Sequence, residues 1–221
     1  MNCLLIEGEY VVFDPVCRRC PRLANFLDQV KVDNPTYFAA PVPPFGDPNA
    51  RLLVVGLAPG MHGANRSGRP FTGDFAGILL YRTLFEFGFA TAPVSESVDD
   101  GLRLTNCRIT NAVKCLPPQN KPEPKEIQAC NDFLKQELVE FPAGGVVVAL
   151  GTIAHQSVLR AYGLKVGQYK FAHEAKFALP DGRWLIDSYH CSRYNTNTKR
   201  LTDDMFRAVF RQAREVLDAA P

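Results

Sequence analysis

No run of 18 apolar residues occurs in this 221-residue chain, so nothing in it reads as a membrane-spanning helix. The opening stretch lacks the basic start and long apolar core of a secretory signal; Met1 to Tyr10 instead carries Glu7 and Glu9. Charge of one sign is missing as well. With 25 basic and 23 acidic side chains the formal net charge is only +2, so any nucleic-acid partner has to be argued from local clustering. There is no internal repeat, no low-complexity tract and no linker-like stretch between two halves. These absences lead to the expectation of a soluble, cytoplasmic chain without a membrane partner, folded as one domain over residues 1–221. Its 46% hydrophobic content is ample for a core.

An even cysteine count is also lacking. Seven cysteines in a chain read as intracellular do not suggest a disulfide framework. Four of them fall in a telling order. Cys17 and Cys20 form a C-x2-C knuckle, Cys115 follows a strand-like run, and Cys130 lies on one face of the next helix-like run. Four thiolates so supplied suit a structural zinc or an iron–sulfur cluster, and spacing alone does not choose between them. Cys3, Cys107 and Cys191 have no partner at suitable spacing.

What is present is an alternation of apolar runs. Residues 51–57, 103–114, 145–151 and 184–189 read as strands, the first and third as continuous buried ones. Helical spacing predicts helices over 75–87, 126–140, 152–162 and 202–219, with a shorter one around Leu23, Phe26 and Leu27; Thr152 stands as a plausible cap. Five prolines, Pro35, Pro41, Pro43, Pro44 and Pro48, predict irregular chain before the first strand, and residues 165–183 read as strand and turn. Strands alternating with helices predict an α/β fold, a three-layer α/β/α sandwich around a mainly parallel four-stranded sheet.

The chain is organised around residues 56–74, which hold five glycines, two prolines, two arginines and one carboxylate, with neither a helical nor a strand period. A loop that long between a buried strand and a helix is a common place for a site. Its glycines let a ligand approach the backbone. Asp74 stands where the following helix would start, so a plain N-cap role competes with a chemical one.

Several motifs then coincide in order. Gly56-Leu57-Ala58-Pro59-Gly60 with Gly68-Arg69-Pro70-Phe71-Thr72-Gly73-Asp74, the segment from Thr110 to Pro122, and the segment from His190 to Leu201 together resemble the uracil-DNA glycosylase superfamily, most of all its family 5, or type b. With the four cysteines the resemblance spans about residues 15–215. It implies a three-layer α/β/α fold, a structural 4Fe–4S cluster on Cys17, Cys20, Cys115 and Cys130, and excision of uracil from DNA without a catalytic metal. It also implies tolerance of other deaminated bases such as hypoxanthine. Two departures stand out. Gly56–Gly60 lacks the polar residue that other branches carry there, and Cys191 stands where proline is common after the histidine.

To hydrolyse the bond between base and deoxyribose, such an enzyme must extrude the nucleotide into a pocket. Phe71 is the candidate stacking platform, and the Gly56, Ala58, Pro59 and Gly60 backbone the candidate wall. Asn111 and Asn120 each offer an amide matched to a base edge that presents a carbonyl and an N–H, and the sequence does not choose between them. His190, directly after a strand, would donate to a base oxygen as the anion develops. Asp74 would orient or deprotonate the attacking water and stabilise the cationic sugar. Arg66 and Arg69 in the first loop, Lys114, Lys121 and Lys125 near the second, and Ser192, Arg193, Tyr194, Asn195, Lys199 and Arg200 in the third are candidate contacts to uracil-containing DNA. Arg193-Tyr194-Asn195 is the candidate wedge for the gap left by the flipped base. Arg18, Arg19 and Arg22 beside the knuckle could add phosphate contacts. The competing expectation is a non-catalytic DNA-binding module bearing zinc or a cluster. A monomer is expected in either case.

Overall fold

A computed structural model describes residues 13–219, so Cys3 and the acidic start of the chain lie outside the described residues. The longest apolar runs become the middle of one sheet. Strands β1 (Phe45–Gly46), β2 (Leu52–Gly56), β3 (Cys107–Asn111), β4 (Val146–Leu150), β5 (Lys176–Ala178) and β6 (Trp184–Ser188) order as β1-β3-β2-β4-β6-β5. The four central strands are parallel, as expected from their covered faces, and β2 and β4 are buried at every position. The two further strands are short antiparallel edges: β1 lies within the proline-rich segment, and β5 is three residues long. Among the described residues the sheet therefore has six strands where the sequence predicts four.

Alternate residues face opposite layers. Leu52, Val54, Ile109, Val146, Val148 and Ile186 pack against helices α3 (Phe75–Glu86) and α7 (Asp203–Ala219). Leu53, Val55, Val147, Ala149 and Leu185 pack against α4 (Pro124–Glu140) and α5 (Thr152–Ala161). A third cluster joins α1 (Pro21–Asp33) to Val113, Leu116, Ile127 and Phe133. The helix α4 starts two residues before the predicted turn because Pro124 takes the first position and Glu123 with Glu126 forms a capping box. Thr152 does not cap α5; Gly151, at φ +95°, occupies that position. Among the described residues no helix is long and apolar enough to cross a membrane.

Register decides where a site can form. Gly56 pairs across from Asn111, and Leu150 from Ser188, so the carboxyl ends of the parallel strands finish level. Ala112 N–H donates to Gly56 O at 2.9 Å and Val113 N–H to Leu57 O at 3.0 Å, which extends the pairing into the loops. The loops after β2, β3 and β6 thus leave one edge together, the position where ligands bind in open α/β sheets.

Candidate active site

The loop after β2 is less irregular than its composition implies. Residues Ala64–Ser67 form one turn of helix, α2, closed by Gly68 at φ +81°. The chain then doubles back so that Phe71 and Asp74 face the strand ends. Phe71 adopts φ +57°, a left-handed backbone that a bulky residue seldom takes. Its ring fills the space left by the absent side chain of Gly56, where a β-carbon would lie 2.6 Å from Phe71 Cζ. The Asn111 side chain crowds the same point, so Gly56 is required for both groups to reach the pocket.

These elements enclose a cavity of about 380 Å³. Ala58 and Gly60 form one wall, Phe71 and Asp74 another, Asn111 and Asn120 come from the loop after β3, and His190 and Ser192 from the loop after β6. Eight of the sequence-predicted site residues therefore meet around one space. Pro59 does not line it. Leu57, Ala64 and Ala76 line it without having been anticipated. Their side chains are small or apolar and carry no chemistry to search for.

Asp74 fills both roles weighed for it. Its Oδ1 accepts the Gly77 N–H at 2.9 Å and caps α3, while Oδ2 lies toward Gly60 and Gly63. Gly63 has to be glycine here, since its β-carbon would lie 2.7 Å from Oδ2. Burial raises the Asp74 pKa above the ordinary carboxylate value, against the opposing pull of the Gly77 and Ala76 N–H groups. His190 moves the other way. Burial pushes its pKa down to about 4, so its imidazole is neutral at physiological pH and can donate a hydrogen bond without carrying charge. The His190 and Phe71 rings stack with centroids 6.2 Å apart.

The two amides are placed differently. Asn111 is buried at the end of β3, with its Oδ1 lacking a partner among the described residues. Asn120 is exposed at the rim, at φ +57°. A buried carbonyl oxygen without a donor costs free energy unless something binds it, and this one lines the cavity.

The charged candidates divide. Arg66, Arg193, Lys199 and Arg200 are exposed, and none has a carboxylate partner among the described residues. Arg193 lies over the Phe75 ring at 5.0 Å and Arg200 over Tyr189 at 4.6 Å, rings that adjoin the cavity-lining Asp74, Ala76 and His190 along the chain. Tyr194 is 71% exposed on α6 (Arg193–Asn197), a short helix capped by Ser192 where the sequence suggests only a loop tip. Arg69 is a correction: it is buried, ion-paired to Asp100 at 2.8 Å, and cannot reach DNA. Lys114 is likewise buried and paired to Glu137. Asn195 uses its Nδ2 to hold the His190 carbonyl at 2.8 Å, so it fixes the loop that presents the imidazole. Arg18, Arg19 and Arg22 beside the knuckle pair with Asp28, Asp132 and Glu126, which removes them as free cations.

Away from this cavity, Cys17, Cys20, Cys115 and Cys130 line one small hollow with Leu23, Ala24, Val113 and Phe133. They come from the turn before α1, the loop after β3 and one face of α4. Cys130 Sγ accepts the Lys114 N–H at 3.3 Å. Among the described residues no three Cys, His, Asp or Glu side chains are gathered for a single metal ion. Tetrahedral zinc at about 2.3 Å needs sulfurs about 3.8 Å apart, whereas a cubane cluster takes them at its wider corners. Four thiolates are a donor set that either group takes.

A family model described as "Uracil DNA glycosylase superfamily" matches residues 43–214. The chain is similar to the type-5 uracil-DNA glycosylase of Thermus thermophilus, at 47% identity over 205 residues, covering 90% of this chain and 93% of the relative. It is similar to the type-5 uracil-DNA glycosylase of Pyrobaculum aerophilum at 42% over 201 residues, covering 89% and 87%. A type-4 uracil-DNA glycosylase of Archaeoglobus fulgidus matches at 35% over 125 residues, 56% of this chain and 55% of the relative.

Proposed function

The chain belongs to the uracil DNA glycosylase superfamily, and on that premise we propose that it excises uracil from DNA by hydrolysing the N-glycosidic bond, leaving an abasic site. The observation that carries the reading is one cavity that brings together a neutral imidazole, a half-buried carboxylate, an unpartnered amide oxygen and an aromatic ring. In this reading the flipped base stacks on Phe71, and the Asn111 amide pairs with its edge. His190 donates to a base oxygen, a bond that strengthens as negative charge develops there. Water adds to the anomeric carbon, the bond to the base nitrogen breaks with its electron pair leaving on the base, and the proton lost by water passes to Asp74. The ionised Asp74 also stabilises the positive charge that builds on the sugar.

The cavity volume and the small Ala58, Gly60, Ala64 and Ala76 surfaces leave space for a purine, which supports hypoxanthine as a further substrate. Arg66, Arg193, Lys199 and Arg200 hold the duplex, and exposed Tyr194 fills the vacated stack. The four cysteines hold a 4Fe–4S cluster, which supplies a structural tie among α1, α4 and the loop after β3 and takes no part in the reaction. The protein works as a monomeric single domain in the cytoplasm.

Duplexes carrying uracil, hypoxanthine or thymine opposite guanine, incubated with the protein and then treated with alkali, test the reading. Scission at uracil is expected, and scission at hypoxanthine with it. Tight binding without scission at any base would make the chain a DNA-binding module instead. Iron and acid-labile sulfide at four per chain are expected for the cluster. Zinc in their place would remove that assignment and leave the excision chemistry standing.

A further inference from the structure

Arg69 is buried beside the cavity loop, and its guanidinium is engaged on several sides. Its guanidinium donates to Ser95 Oγ at 3.0 Å, Asp100 Oδ1 at 2.8 Å and the Val98 carbonyl at 2.6 Å, and it lies over the Phe45 ring at 4.5 Å. Asp100 is fully engaged in turn. Oδ1 also accepts the Leu102 N–H, and Oδ2 accepts those of Glu96 and Ser97, so the 95–102 segment is wound around one carboxylate. Burial would raise the Asp100 pKa, but Arg69 and these N–H groups outweigh it and hold the carboxyl at about 2.

This segment is bonded to the chemical loop at successive residues. Thr72 Oγ1 and Ser95 Oγ are 2.7 Å apart and Gly73 N–H donates to the Ser95 carbonyl, while from α3 the Tyr81 O–H donates to the Pro70 carbonyl at 2.7 Å. Residues 69, 70, 72 and 73 are each tethered, and between them stands Phe71 in its left-handed backbone. Such a conformation persists only where its surroundings over-determine it. Ser67 braces the same stretch from within the loop: its Oγ accepts the Arg69 N–H at 3.3 Å and lies within hydrogen-bond distance of the Arg69 and Thr72 carbonyls.

We propose that Arg69 and Asp100 are positioning residues for base excision: their buried ion pair clasps residues 95–100 behind the pocket wall and so fixes Phe71 and Asp74 against the strand ends. The inference rests on the excision reading above. Misplacing a reacting group by about 1 Å is enough to cost a rate factor of about 100. The clasp therefore acts on the chemical step and leaves the grip on duplex DNA alone.

Arg69→Lys keeps the charge but loses the fork, so it cannot hold Ser95, Val98 and Asp100 together. The expected result is faster hydrogen exchange at amides 70–77 in the free protein, a single-turnover excision rate lowered about 10- to 100-fold, unchanged affinity for duplex, and an acid limb of the pH–rate profile displaced from the wild-type position. Asp100→Asn should do the same. Ser95→Ala, a milder lesion, should reproduce the exchange change and a smaller rate loss if the ion-pair variants fail to fold. A rate that falls only with the folded fraction, its pH profile unmoved, would overturn the proposal. So would weakened, less salt-dependent DNA binding at an unchanged rate, which is what a phosphate contact would give. Wild-type protein that releases no base would sink the excision reading, whereas the exchange data still report whether the clasp orders the loop.

Discussion

One carboxylate serves two masters at Asp74 and Gly77: the Gly77 N–H binds Oδ1 at 2.9 Å, and the same group lines the cavity. Its two jobs come apart on substitution. Asn caps a helix as well as Asp does, so Asp74→Asn should keep the cap and leave stability within about 1 kcal/mol of wild type. It cannot take a proton from water, so single-turnover excision of uracil should fall by a factor of about 10² to 10⁴. The sign of the pKa shift sharpens the stability half. A carboxyl raised by burial favours folding while protonated, and that contribution is lost as pH rises through the folded pKa. At neutral pH the ionised Asp74 is therefore held at a cost, and the Asn variant should melt no lower than wild type. Calorimetry at pH 7 beside the excision assay checks both, and a lower melting point with activity intact would mean that Asp74 only caps.

Gly77 is tied to the site a second way. A β-carbon there would overlap the Phe71 carbonyl oxygen, well inside van der Waals contact. This is a limit of space in a helical residue. Gly77→Ala, elsewhere a gain in helix propensity, should here force α3 away from the loop and cost about 1–3 kcal/mol. Because Phe71 moves with its own carbonyl, excision should slow beyond what the lost stability explains. Denaturant melts compared with rates on folded protein separate the two.

Opposite pKa shifts predict a one-sided pH profile. His190 is neutral from about pH 4 upward, so it loses nothing as pH rises through the usual histidine range. Asp74 must be ionised to act, and its pKa is raised. Excision should therefore fall as pH drops, with a midpoint above the ordinary carboxylate value, and show no break near 6.5. Stability responds to the two groups in opposite senses. His190 favours folding while neutral, a contribution lost as pH falls from the unfolded value of about 6.5 toward 4, whereas Asp74 favours folding while protonated. A rate profile that breaks near 6.5 and loses that break in His190→Asn would show a charged imidazole at work.

The central strands were legible because Val146–Leu150 and Leu52–Val55 are apolar at consecutive positions, a signal that survives without knowledge of neighbours. The edge strand Phe45–Gly46 was not, since two residues are too short to carry a period and it exists because β3 offers a free edge, whereas Lys176–Ala178 lies in the stretch 165–183 that reads as strand and turn without marking its bounds. Within the site, residues with distinctive chemistry were found, and the small ones that shape the space were not. Arg69 marks the limit most clearly. It lies three residues from exposed Arg66 in the same glycine-rich loop, and what buries it is Asp100, 31 positions away, which no local pattern announces.

The same contrast between paired and unpaired arginines predicts how salt will act on DNA binding. Arg200 stacks on Tyr189 beside the cavity with no carboxylate partner among the described residues, whereas Arg18 is bonded through both terminal nitrogens to Asp28. A cation that neutralises a phosphate releases a condensed counterion, so each lost contact should flatten the slope of log affinity against log salt by about 0.9 on duplex DNA. Arg200→Ala should show that flattening, and Arg193→Ala likewise. Arg18→Ala should leave the slope unchanged, because its charge is already balanced within the protein. Fluorescence anisotropy on an abasic duplex between 50 and 200 mM salt, about a fourfold range, resolves a change of that size. An unchanged slope in both Arg193→Ala and Arg200→Ala would move the DNA path away from the mouth of the cavity.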